Sequence, residues 1–319
     1  MNKLLKKFSA ALMAGIIIFS STVTVFANEI DTETINERWG KPTFVYGESL
    51  NNSQIKDTMK LLGVKNEENI NSVKVTYKDL VEYIGGDINN PSNMISSVLV
   101  TKENEGKGVN VVIKTPDNIT QITAEQYANA SITAGVEDAT ILVGAIRKVT
   151  GESALTGVYK AFEANGVELD KDRMEVAQDE LDTVNEISQD NKDNKDFSAS
   201  DLNNAVTEVK SQLAEISEKQ DRTPTLDEIR EVVEEAIAKH ELENVITKEQ
   251  IDKLISYFEK YVDTDALNSE QVKEQLGKWK DAIVDGASDL YNKAEESGFL
   301  DKIAAFFKGL YEGIVGLFN

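Results

Sequence analysis

The sequence predicts an α+β protein: a mixed strand-and-helix domain, then an all-α helical region, then an amphipathic C-terminal helix. Three observations carry this. β-branched and alternating runs occur in the first half of the chain and fade after it. Beyond residue 166, apolar residues recur at helical steps of three and four. Helix starts carry paired capping residues in both halves. The boundaries that follow are an N-terminal segment at 28–39, an α+β domain at 40–166, a helical region at 167–295 and the last helix within 296–319.

Phe44-Val45-Tyr46 reads as a short strand. A helix follows from about Ser53 to Leu62, with Ile55, Met59 and Leu62 on one face and Gly63 as its stop. Val73 to Tyr77 alternates as a half-buried strand does, and Lys78 to Ile84 forms a short helix ending at Gly85-Gly86. Met94 to Thr101 and Val109 to Lys114 are β-rich, and the polar, glycine-bearing stretch between them, Lys102 to Gly108, reads as a hairpin turn. Thr123 and Gln126 make a capping box, with Ile122 stapled against Tyr127, and that helix stops at Gly135. Ala139 to Ile146 is a buried strand, and Glu152 to Ala164 a helix stopped by Asn165-Gly166.

The second half is helical. Asp170 to Ile187 forms one helix, and Ser188 to Asp196 is a polar break. Leu202, Val206, Val209, Leu213 and Ile216 form the stripe of the next. Thr225 and Glu228 cap a helix striped by Leu226, Ile229, Val233 and Ile237. Ile246-Thr247 with Gln250 and Ile251 gives box and staple, and Leu267-Asn268 with Gln271 and Val272 repeats them. That last helix carries Val272, Leu276, Trp279, Ile283 and Leu290.

The chain begins with Lys3, Lys6 and Lys7, an apolar core from Ala10 to Phe19, and a softer segment ending Val25-Phe26-Ala27. This is the pattern of a secretory signal peptide cleaved after Ala27. The apolar run falls short of the roughly 18–20 residues of a spanning helix. No cysteine follows it, so lipid anchoring is excluded. Net charge is −22, and loss of the three leader lysines with no acid takes it to −25. So negative a chain disfavours nucleic acid, whose phosphates dominate binding. It also repels anionic surfaces unless divalent cations bridge them. With no cysteine, stability rests on the core alone.

No nucleophile, metal or phosphate motif stands out, and no cofactor is expected. His240, the single histidine, sits at a predicted helix end, where it suits the helix dipole better than general-base chemistry. Glu67-Glu68, Asp179-Glu180 and Glu234-Glu235 are adjacent acids, which do not share a helix face and read as solvated surface. Asp87 to Pro91 lacks the glycine and distant glutamate of a calcium loop and reads as a turn; residues 190–196 read as a linker. Gly151 and Gly157 lack phosphate-loop spacing and suit close backbone contacts.

The C-terminal helix is the candidate contact surface. Leu300, Ile303, Phe307, Leu310, Ile314 and Leu317 form its stripe, widened by Phe299 and Phe306 on one side and Tyr311 and Phe318 on the other. Each such side chain removed from water contributes roughly 1.5–3 kcal/mol. Its partner is the chain's own helical region, a membrane interface, a second copy or an envelope protein. Asp301, Lys302, Lys308 and Glu312 cancel, so any lipid binding is hydrophobic.

Tyr83-Ile84-Gly85-Gly86, Gly108-Val109-Asn110-Val111, Ala130-Ser131-Ile132-Thr133-Ala134-Gly135-Val136 and Gly151-Glu152-Ser153-Ala154-Leu155-Thr156-Gly157 occur in that order. In this the chain resembles the domain of unknown function 1002 family, secreted proteins of Gram-positive spore formers, over roughly residues 40 to 265. The resemblance implies export and architecture, and carries over no catalytic residues. Together these readings favour a non-catalytic extracytoplasmic protein that binds a partner at the cell envelope. An acid-based hydrolase of wall or polysaccharide material is the alternative, and a self-associating structural protein a third.

Overall fold

The structure is a computed structural model that describes residues 39–85, 87–89, 91–270 and 272–276. The leader and the ten contact residues of the C-terminal helix, Phe299 to Phe318, lie outside the described residues, as do Trp279, Ile283 and Leu290.

Five strands form one mixed sheet: β1 (Thr43–Gly47), β2 (Asn71–Val75), β3 (Ser97–Lys102), β4 (Val109–Ile113) and β5 (Ala139–Gly144), in the order β2-β1-β3-β5-β4. β1 runs parallel to β2, β3 antiparallel to β1 and β5, and β4 parallel to β5. The α+β prediction therefore holds, and among the described residues the strands fall in the first half of the chain.

Side-chain alternation assigns each face of the sheet. Phe44, Leu99, Leu142 and Val112 line one side, where helix α1 (Asn52–Leu61) covers them with Met59 and Leu62. Val45, Val98, Val100, Ile141 and Val143 line the other, beneath α3 (Ala124–Thr133) and α4 (Ser153–Ala164). Gly157 lets α4 settle on this face; a Cβ there would stand 3.2 Å from Val98 Cγ2.

The predicted hairpin is corrected. β3 and β4 are not neighbours, because β5 lies between them and pairs with both. β5 is apolar on both faces, with Ile141, Leu142 and Val143 all buried. Such a strand gains most from a central position, where both its edges and both its faces are covered. Asp138 holds the insertion open: its carbonyl accepts from Glu103 N at 2.6 Å and its Oδ1 from Gly108 N at 2.8 Å. The loop from 103 to 108 thus spans one strand instead of reversing tightly.

Local capping explains most helix starts. Boxes form as read at Thr123/Gln126, Thr225/Glu228 and Thr247/Gln250, and two more appear at Asn51/Gln54 and Thr76/Asp79. The last shortens the strand read through Tyr77. Thr76 caps α2 (Tyr77–Ile84) instead of continuing β2.

The helical region includes α5 (Lys171–Asn191), α6 (Ala199–Gln220), α7 (Leu226–Lys239) and α8 (Lys248–Val262). α5 runs through Ser188 to Asn191, residues read as a break. The Ser188 hydroxyl returns to Val184 O, and the Asn191 amide bonds Ile187 O and Gln250 Oε1, so polar side chains are satisfied without leaving the helix. Leu226 leaves its stripe and is 46% exposed at the first turn of α7. The box read at Asn268 also moves by one residue. Ser269 Oγ accepts from Val272 N, while Asn268 takes a bond from Ser217.

α5 packs on both α2 and α3, and α6 touches α3. Val272 and Leu276 enter the sheet-side core, and Gln275 donates to Val136 O at 3.2 Å.

Candidate functional site

α5 places Gln178, Asp182, Asn185 and Glu186 on one face, at steps of four, three and one. That face borders a cleft of about 400 Å³. Leu80 and Ile84, one turn apart on α2, form its apolar wall, and Glu152, at the start of α4, closes it. Three elements distant in sequence therefore converge on one recess.

The polar groups in the cleft are weighted towards acceptors. Gln178 Nε2 donates to Asp182 Oδ1 at 2.7 Å. Glu152 takes a long bond of 3.3 Å from the Thr150 hydroxyl, and Glu186 is paired with Lys253 of α8 at 2.5 Å. The charges that bear on Asp182 are those of Glu152 and Asp179, both negative. Crowding by the protein, then these two carboxylates, push its carboxyl up to about 6 against the Gln178 bond. The residue is nonetheless open to solvent along one side, so water screens part of the penalty.

Asn185 is 7% exposed. Its Nδ2 is fixed by Gln121 Oε1 at 3.3 Å, while its Oδ1 accepts no bond. This oxygen is closed off from solvent, so it is no part of the open surface of the cleft.

Beneath α5 lies a second polar group. Lys210, fully buried on α6, donates to Glu180 Oε1 at 2.6 Å, to Thr133 Oγ1 at 2.8 Å and to Asn129 O at 3.4 Å. Glu180 Oε2 accepts from Thr133 at 2.7 Å and from Tyr257 at 2.9 Å. Burial pulls the Lys210 ammonium down and the Glu180 charge holds it up, with the downward pull winning. This pair joins α3, α5, α6 and α8 and has the character of a structural tie. It also corrects the reading of Asp179-Glu180 as solvated surface. Asp179 does face out, to Lys260 at 2.6 Å, but its neighbour is 2% exposed.

The other residues singled out from the sequence are placed as follows. His240 ends α7 with a ring nitrogen 3.0 Å from Glu208 Oε2, and Lys239 meets Glu208 Oε1 at 2.6 Å. Burial raises the Glu208 carboxyl, but the His240 and Lys239 bonds outweigh it and hold it down at about 2. His240 thus ties α7 to α6. Asp87 Oδ1 accepts from Asn89 N at 2.9 Å, the turn expected there. Gly151, at φ +114°, lies against Tyr127, whose hydroxyl bonds its carbonyl at 2.6 Å. Among the described residues, no group of three or more His, Asp or Glu is arranged to hold a metal ion, and no helix is long and apolar enough to cross a membrane.

Sequence reading missed the cleft. Its signal was the spacing of Gln178, Asp182, Asn185 and Glu186, but many acidic residues in this chain show comparable spacing. Only the approach of α2 and α4 distinguishes this face.

Comparison with known proteins gives a consistent picture. The family described as "Protein of unknown function (DUF1002)" matches residues 46–279, reaching past the 265 expected from the motifs. An uncharacterised protein of Bacillus subtilis (strain 168), YpuA, is 33% identical over 268 residues, covering 82% of this chain and 86% of that one. No solved structure matches.

Proposed function

The chain belongs to the DUF1002 family, and from that premise we propose that it is an exported, non-catalytic protein that binds a partner at the cell envelope through the α5 cleft. One observation carries the reading. The cleft gathers the carboxylates of Glu152, Asp182 and Glu186 against the apolar wall of Leu80 and Ile84, which is equipment for recognition. The leader supports export, and the apolar face from Phe299 to Phe318 supports attachment of the far end to a membrane interface or a second copy.

Fractionation of cells expressing the full chain tests the first part. Protein in the medium or envelope fraction with an intact mass starting at Asn28 is expected. Retention in the cytosol starting at Met1 overturns it. Co-sedimentation with liposomes, with and without residues 298–319, tests the attachment; equal binding by both excludes the membrane role.

A second reading rests on the raised Asp182 carboxyl beside Glu152. A pair of carboxyls of which one is pushed up is the pairing that acid-based hydrolases of polysaccharides use. Release of reducing ends from wall polymer, abolished in both Asp182→Asn and Glu152→Gln, supports that reading; no release by the unmodified protein removes it.

A further inference from the structure

We infer that the outer edge of β4 is a self-pairing surface: two copies of this chain join their β4 strands antiparallel, centred on Val111, into one continuous sheet. This is independent of the α5 cleft, and either can fail without the other.

β4 ends the strand order β2-β1-β3-β5-β4, so one of its sides has no strand beside it. The ladder to β5 shows which residues face that side. Ala139 N donates to Gly108 O at 3.0 Å and Lys114 N to Val143 O at 2.8 Å, with Val109 in register with Ala139 and Ile113 with Val143. A parallel ladder in this phase uses the N–H groups of Asn110, Val112 and Lys114 and the carbonyls of Gly108, Asn110 and Val112. The N–H and C=O groups of Val109, Val111 and Ile113 therefore point away from β5, and among the described residues nothing bonds them. The chain after β4 does not return along this edge, because it runs past the end of β5 to pair Ile119 with Val149. α3 covers the side chains of Val109 and Val111, 7% and 8% exposed, but a helix uses its own N–H and C=O groups internally and leaves a strand edge unsatisfied.

An edge of this kind is a template for a further strand. Charge and symmetry select a second copy as that strand. From Gly108 to Ile113 there is no charge and no proline, in a chain whose net charge of −22 opposes most contacts between copies. The outward residues are symmetric about Val111. When Val111 of one copy faces Val111 of the other, Val109 faces Ile113 at both ends, and each facing pair exchanges both of its N–H···O bonds. The opposite edge lacks this fit. Asn71 N bonds Pro42 O and Val75 O accepts from Glu48 N, so β2 turns Ser72 and Lys74 outward, and the next outward N–H, that of Thr76, is held by Asp79 at 2.7 Å. An exposed lysine there blunts the edge.

Sedimentation equilibrium of the full-length chain tests the pairing. We expect a reversible monomer–dimer equilibrium of micromolar to millimolar strength, in keeping with a small interface. Val111→Pro removes an outward N–H and none of the bonds to β5, a change that edge strands tolerate. It should weaken the dimer at least about tenfold, with circular dichroism showing the fold kept. Cysteines test the register without proline. In this pairing Asn110 of one copy faces Val112 of the other without hydrogen bonds, with Cα atoms about 4.5 Å apart, within the span of a disulfide. Asn110→Cys and Val112→Cys together, in a chain with no cysteine of its own, should give a disulfide-linked dimer under mild oxidation. Asn110→Cys alone meets its counterpart only on the diagonal and should not.

A monomer at every concentration overturns the assignment, as does a dimer that folded Val111→Pro leaves unweakened. A dimer held by the C-terminal segment instead would survive Val111→Pro and be lost on removal of residues 298–319. If Val111→Pro does not fold, the cysteine pair decides: no cross-link in a double variant that still dimerises, or equal cross-linking by Asn110→Cys alone, overturns the pairing.

Discussion

Lys210→Met removes the ammonium at the junction of α3, α5, α6 and α8 while keeping an unbranched side chain of similar length. Lys210 is fully buried and Glu180 is 2% exposed, so water cannot replace the lost charge. The Lys210 bonds to Glu180, Thr133 and Asn129 disappear together. Breaking a buried pair on one side costs about 3–5 kcal/mol. Glu180 keeps two donors, Thr133 and Tyr257, which places the expected loss near the lower end, about 3 kcal/mol. That is a large part of the ~5–15 kcal/mol by which native proteins are stable.

The assay is urea unfolding at pH 7.5, read by far-UV circular dichroism. A double-mutant cycle with Glu180→Gln accompanies it, because glutamine still accepts from Tyr257. The double variant should lose only about 1–2 kcal/mol, less than Lys210→Met alone, a coupling of at least about 1 kcal/mol before the cost of Glu180→Gln itself is added. A loss below about 1 kcal/mol in the single variant, or a coupling near zero, would refute the view that this pair ties the helices to the sheet side.

Other outcomes follow from the same structure. Asp182→Asn should raise stability at pH 7.5 by about 1 kcal/mol, a figure reduced for solvent screening. The gain should vanish by about pH 4, because a carboxyl raised to about 6 costs stability above that pH and not below its unfolded range; pH-dependent urea midpoints check this. Glu208 has the opposite sign. Held at about 2 by His240 and Lys239, it contributes stability above its unfolded value of 4.5 that is lost between 4.5 and 2. Glu208→Gln should therefore cost up to about 3 kcal/mol at pH 7, with the difference closing in acid. Finally, cysteines at Thr101 and Thr140, partners across β3 and β5 in a chain with no cysteine of its own, should form a disulfide under mild oxidation. Failure to cross-link, read by mass under non-reducing conditions, would return β3 and β4 to a hairpin.

Helix starts were legible because a capping box is a contract between residues three apart. The hydroxyls of Thr123, Thr225 and Thr247 meet nearby backbone N–H groups whatever the rest of the chain does. Helix ends at Gly63, Gly85, Gly135 and Gly166 were legible for a related reason. Each has φ between +76° and +92°, a conformation cheap only for glycine. Strand positions were legible from alternation. Strand partners were not, because Ala139–Gly144 carries nothing that names its neighbours. Burial of Glu180 was invisible too, since its partner lies 30 residues on and its hydroxyl donors 47 and 77 residues away.

By itself, then, the sequence determined the fold class, the order of elements, most of their capped ends and the family motifs, all of which depend on short-range hydrogen bonding and periodicity. Tertiary structure alone decided three things: that β5 lies between β3 and β4, that Lys210 and Glu180 meet under α5, and that α2 and α4 enclose the acidic face of α5 as a cleft. Each depends on which apolar surfaces bury one another across long stretches of chain. That choice is made by the combined area of whole elements, and no spacing of a few residues encodes it.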